Sequence, residues 1–190
     1  MAQMQDQSPD VVVVIDADCR VSPPGGLAQL ARHALHSGRP AQALDLMNAP
    51  VGAGLKVRMA AFAWAFHNEV RAQGYRNLGL PCQLMGTGMA FPWGLVDGAM
   101  LATSHVVEDL KLGLALAARG RAPVFCPSTR VDSEFPGNEE GAQSQRQRWE
   151  HGHLSVLLSE GLPTLWRGLR RRNQALVALA LDMSVPPLAL

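Results

Sequence analysis

Apolar positions along this chain switch between two rhythms. Val11–Ile15, four valines and an isoleucine, is β-branched throughout and short, and it predicts a buried strand. From Gly25 to Gly38 the spacing changes. Leu27, Leu30, Ala31, Ala34 and Leu35 recur at i, i+3 and i+4, the stripe of a helix, and Gly38 stops it. Arg39–Met47, with Ala41, Ala43 and Leu44 apolar, predicts a second strand broken by Asn48-Ala49-Pro50. Leu55 to Gln73 predicts a long helix with Val57, Ala61, Trp64, Ala65 and Asn68 on one side. Leu84–Phe91 holds Gly86-Thr87-Gly88 inside an apolar run, where glycine admits close approach of another chain or a ligand. Val106 to Arg119 predicts a helix with Leu110, Leu114 and Ala117 inward, ended at Gly120. Ala122–Cys126 reads as a short strand, Thr129–Asn138 as an extended segment and turn, and Glu139–Ser159 as a helix. Strands alternating with helices predict an α/β domain with a mostly parallel sheet flanked by helices.

Composition narrows the class. The 190 residues suffice for one domain with a real core. A hydrophobic content of 47% against 17% charged residues points to a buried sheet or a membrane neighbour. The net charge of +1 and the sparse aromatics give no electrostatic footprint for nucleic acid. Cys19, Cys82 and Cys126 are odd in number and far apart, which argues against structural zinc and a disulfide framework and suits a reducing compartment. His151 and His153 lack partners at ligand spacing. Residues 1–10 are polar and carry no signal-peptide pattern. At the other end, Arg167, Arg170, Arg171 and Arg172 precede a mostly apolar stretch with Asp182 and Pro186-Pro187. That tail reads either as an amphipathic helix packed on the domain or as a membrane-surface helix.

Three clusters carry candidate chemistry. Asp16-Ala17-Asp18 follows the first strand at its carboxyl end, where an open α/β sheet places its ligand crevice. Two carboxylates there suit a hard divalent cation held against phosphate, the alternative being a strand followed by an ordinary polar turn. Glu108-Asp109 lies near a helix start, where the dipole favours negative charge; one of the two would also be placed to act as a general base. Gln145, Arg148 and Trp149 share one helix face by their i, i+3, i+4 spacing. An amide, a guanidinium and an indole suit a diphosphate and the flat face of a sugar, and Trp149 argues against a merely solvated basic helix.

In this order, Asp16-Ala17-Asp18, Gly86-Thr87-Gly88-Met89-Ala90-Phe91, Glu108-Asp109 and Gln145-Arg146-Gln147-Arg148-Trp149 resemble the processive family 2 glycosyltransferases of the cellulose, hyaluronan and exopolysaccharide synthase kind. The resemblance covers roughly residues 11–159. It implies a GT-A fold and inverting transfer of a hexose from a UDP-sugar donor to a glycan or lipid-linked acceptor. It implies that Asp18 with Asp16 holds Mg²⁺ or Mn²⁺, that Asp109 takes the acceptor proton with Glu108 in support, and that Gly86, Thr87, Gly88 and Phe91 line the acceptor. Gln145, Arg148 and Trp149 would hold the diphosphate and the acceptor end. Residues 1–160 would be the C-terminal portion of the catalytic domain, and 161–190 a juxtamembrane helical tail at the cytoplasmic face of the inner or plasma membrane.

Two departures stand out. Val107 occupies a position where much of the family has Thr, and only ten residues precede Val11. The family's first nucleotide-binding βαβ units are thus expected to be missing. That would leave an exposed strand edge prone to self-association. A non-catalytic nucleotide-sugar-binding fragment is the alternative function. A haloacid dehalogenase-type phosphatase also begins with an apolar run and DxD, but the position two residues after the second Asp is Arg20, and QxxRW has no role there.

Overall fold

The computed structural model describes residues 8–96, 108–135 and 156–185 of the chain. It is an α/β fold on one five-stranded sheet. The strands are β1 (Val11–Val14), β2 (Arg20–Ser22), β3 (Ala41–Asn48), β4 (Met89–Pro92) and β5 (Val124–Glu134). Their order across the sheet is β1-β4-β3-β5-β2. The central strand, β3, is buried from Ala41 to Asp45.

Helix α1 (Gly26–Ser37) lies where the sequence predicts and stops at Gly38, whose φ of 61° only glycine adopts readily. It buries Leu30 and Ala34 against Ala41, Ala43, Ala90, Cys126 and Val131 of the sheet. The period of two along β3 sends Leu44 the other way, to Cys82 and Phe125. The long predicted helix is continuous in three parts: α2 (Leu55–Ala65), a π-helical segment (Phe66–Arg71) and α3 (Ala72–Asn77). Its wide turn carries Asn68, the polar residue expected on the inner side, which is buried beneath β3. Helix α4 (Glu108–Ala118) buries Leu114 and Ala117 as predicted.

The sheet is not mostly parallel. Only β3 and β5 pair in parallel; β1 with β4, β3 with β4, and β2 with β5 are antiparallel. The reason lies in residues 80–88. A strand that follows a helix normally enters parallel to the strand before it. Here an extended stretch comes first, with the Cys82 N–H bonded to the Pro123 carbonyl (3.3 Å) at the foot of β5. Gly86 (φ 83°) and Gly88 (φ 66°) then reverse the chain, so β4 descends alongside β3. The two short segments expected around residues 122–138 are one strand. β5 keeps its pairing with β3 by leaving out residues 127–129: Cys126 faces Ala43 and Arg130 faces Leu44. Pro127, which lacks an N–H for the ladder, sits in that bulge.

After a π-helical turn at Leu157–Gly161, the chain forms α5 (Leu162–Arg170) and α6 (Gln174–Met183). Asn173 caps α6 by accepting the Leu176 N–H (3.1 Å) and ties it to α4 by donating to the Ala117 carbonyl (3.2 Å). Leu176, Leu179 and Met183 pack on Leu114, Ala117, Ala122 and Val156. Gly168 lets α5 cross closely over α6: a Cβ there would stand 2.9 Å from Val177 Cγ2 and 3.0 Å from its backbone nitrogen. Among the described residues, no helix is long and apolar enough to cross a membrane.

Candidate active site

β1 ends at Val14, and the turn that follows exposes Asp16 and Asp18. The turn closes through the Cys19 N–H on the Asp16 carbonyl (3.1 Å). One ligand atom each from Asp16, Asp18 and Cys19 lies within 4.8 Å of the other two. Burial and then the neighbouring Asp18 charge raise the Asp16 carboxyl above its usual range. A cation between the two carboxylates would offset that repulsion, so the donor set fits a divalent ion. The Cys19 thiol is also raised, chiefly by burial, which keeps its proton in place.

The glycine turn lies directly against this pair. Thr87 Oγ1 accepts the Asp16 backbone N–H (3.0 Å) and donates to Cys19 Sγ (3.6 Å), and the Cys19 thiol faces Asp18 Oδ1 at 3.7 Å. Gly86 brings in the third carboxylate: a Cβ on it would stand 3.6 Å from Asp109 Oδ2. Asp109 Oδ1 accepts its neighbour Leu110's N–H (2.9 Å) at the opening turn of α4. Glu108 is the first residue of that helix. Gly88 has no room for a side chain, since a Cβ would meet Val131 Cγ2 at 3.0 Å and Ala43 Cβ at 3.1 Å. Asp16, Asp18, Gly86, Thr87 and Asp109, 93 positions apart from first to last, therefore form one cluster. Phe91 is set apart from it: 3% exposed, it packs in the core with Leu84, Met89 and Leu116. Gln145, Arg148 and Trp149 lie outside the described residues.

Two polar residues of β3 were not singled out from sequence. Gln42, 2% exposed, accepts the Met85 N–H on Oε1 (2.9 Å) and donates from Nε2 to the Thr87 carbonyl (2.9 Å). Asp45, 4% exposed, accepts from Trp64 Nε1 (3.2 Å), and its backbone carbonyl accepts from Asn68 Nδ2 (3.0 Å). Burial lifts its carboxyl to about 7. The available signal was a polar side chain interrupting an otherwise apolar strand. With His67, Asn68, Arg71 and Tyr75, and with Met85 and Phe125, these two residues line a recess beside the glycine turn that also includes both partners of the Arg71–Asp182 ion pair.

The turn after the edge strand β1 thus brings a carboxylate pair, the glycine turn and a helix-borne carboxylate into one cluster. The chain belongs to the glycosyl transferase family group 2, whose model matches residues 11–189, nearly the whole sequence. It is a glycosyltransferase, and membership implies a nucleotide-sugar donor and an acceptor. The phosphatase reading has no support in this match. A search among curated proteins found no match.

Proposed function

We propose that this glycosyltransferase moves a hexose with inversion from a UDP-sugar to a hydroxyl of a glycan or lipid-linked acceptor, in the manner of the processive members of its family. The observation that carries the reading is the convergence of Asp16, Asp18 and Asp109 on the turn at Gly86-Thr87-Gly88. Asp18 and Asp16 would hold Mg²⁺ or Mn²⁺, which supplies charge neutralisation to the departing diphosphate. Asp109 takes the proton of the acceptor hydroxyl. The acceptor oxygen bonds to the anomeric carbon as the bond from that carbon to the diphosphate oxygen breaks, and UDP leaves with the electron pair. Glu108 supports the base. Gly86 gives the acceptor backbone rather than side chain to lie on, Thr87 ties the turn to Asp16, and Gly88 completes the acceptor wall by seating that turn tightly on Ala43 and Val131. Phe91 shapes this wall from behind, through the core. Gln145, Arg148 and Trp149 grip the diphosphate and the acceptor end. The site works at the cytoplasmic face of the inner or plasma membrane, approached through α5 and α6.

The test is calorimetry of UDP with and without Mn²⁺, joined to a transfer assay. Manganese-dependent UDP binding is expected for the native chain and lost in Asp18→Ala. Asp109→Asn is expected to bind UDP normally while transfer falls by about 10²-fold or more. UDP binding indifferent to both Mn²⁺ and Asp18 would overturn the metal assignment, and normal transfer by Asp109→Asn would overturn the base.

A further inference from the structure

We propose that Gln42 is a positioning residue for glycosyl transfer: it clamps the loop 85–88 from beneath, so that the acceptor wall and the Asp16 carboxylate are held as one unit. The inference rests on the site reading above for the meaning of that loop, but not for the clamp itself.

Gln42 lies in the middle of the sheet with its amide fully engaged. Oε1 accepts the Met85 N–H at 2.9 Å. Nε2 faces the carbonyls of Thr87 (2.9 Å), Ala43 (3.0 Å) and Gly88 (3.4 Å). One side chain thus grips the loop on both sides of Gly86. The loop needs such a grip, because Gly86 and Gly88 both adopt left-handed φ and a glycine pair has many alternatives of similar energy. Among the described residues no regular ladder pairing reaches Met85 or Thr87; β4 begins at Met89, and a strand-like bond into the turn is the Ala43 N–H on the Gly88 carbonyl (2.7 Å). With the loop held, the Thr87 hydroxyl is delivered to the Asp16 N–H, and Gly86 is delivered to Asp109. The physical path therefore runs from the Gln42 amide to the Thr87 backbone, from the Thr87 hydroxyl to the Asp16 backbone, and so to the carboxylate pair. Removing the amide leaves a part-buried N–H and a buried carbonyl without this partner, a cost the loop relieves by moving.

Gln42→Met keeps length and volume and removes both hydrogen-bonding ends; Gln42→Glu keeps the acceptor and loses the donor. Amide hydrogen exchange reads the clamp directly, without any substrate. Exchange at Asp16 is expected to speed up by about tenfold or more in both variants, and at Met85 in Gln42→Met but not in Gln42→Glu, which keeps the Met85 acceptor, a change typical of losing one hydrogen bond, while the amides of α6 keep wild-type protection. Thr87→Val is expected to deprotect Asp16 alone, and Thr87→Ser, which retains the hydroxyl, to restore that protection. In the transfer assay the Gln42 variants lose kcat about tenfold with donor KM little changed, and pairing Gln42→Met with Thr87→Val costs less than the product of the two single losses. Unchanged exchange at Asp16 in both variants, unchanged exchange at Met85 in Gln42→Met, or single losses that multiply, would overturn the proposal. A native chain that transfers no sugar would sink the site reading instead, and the exchange result would still decide the clamp.

Discussion

Asp45 is a carboxyl placed where a carboxylate is costly. Burial raises it from 3.8 to about 7, and the hydrogen bond from Trp64 recovers only part of the loss. Between about pH 4 and pH 7 the unfolded chain has released this proton and the native chain retains it, so the native state loses stability as pH rises through that window and levels off above it. Asp45→Asn removes the titration. In urea unfolding at a series of pH values, the stability of the native chain relative to Asp45→Asn is expected to fall by a few kcal/mol from about pH 4 to about pH 8; a pH-independent difference would show that the carboxyl titrates normally. At this scale the sequence singled out candidates by local position. Asp16 and Asp18 could be singled out because they follow an apolar run, and Asp109 because it lies at a helix start. Gln42 and Asp45 could not, because their roles depend on which distant segment covers β3, and nothing local encodes that.

The helix at Gly26–Ser37, the helix from Leu55 and α4 followed their periodicity, since a stripe at i, i+3 and i+4 has only one way to be buried; the helix expected over 139–159 lies mostly outside the described residues. α1 ends at its glycine, and the helix from Leu55 keeps Asn68 inward. The tail is the element with two faces. α6 is packed against α4, whereas Leu158, Leu162, Trp166 and Leu169 are exposed, Trp166 by 66%. These four recur at helical spacing on the π-turn and α5, with Arg167, Arg170, Arg171 and Arg172 close by. An apolar stripe bordered by arginines is the pattern of a helix lying in a bilayer surface. The protein is expected to co-sediment with vesicles containing phosphatidylglycerol. Binding should be lost in the double variant Leu162→Ser, Trp166→Ser and weakened on pure phosphatidylcholine; equal sedimentation of native and double-variant protein would refute the membrane assignment. The strands were harder. A mostly parallel sheet was expected, β2 was not foreseen, and two left-handed glycines turn β4 antiparallel to β3.

At the scale of the whole molecule, the sheet order among the described residues leaves β1 at an edge, paired with β4 alone. Its Val11–Val14 side chains are half-buried, and the strand carries no charge, proline or bulge to discourage a second strand from adding. The protein alone is therefore expected to self-associate in a concentration-dependent manner by sedimentation velocity, and Val12→Lys to shift it towards monomer. A native chain that stays monomeric across the same dilution series would contradict this. What the sequence determined by itself was everything carried by short-range order: the α/β class, the helices, the first strand and the carboxylates at its end, because hydrophobic period and motif spacing are local quantities. Tertiary structure alone decided the sheet's direction and order, the meeting of Asp109 with Gly86, and the hold of Gln42 on the glycine turn. Those depend on how segments tens of residues apart pack over β3, and that choice is made by the burial and hydrogen bonding of the assembled sheet.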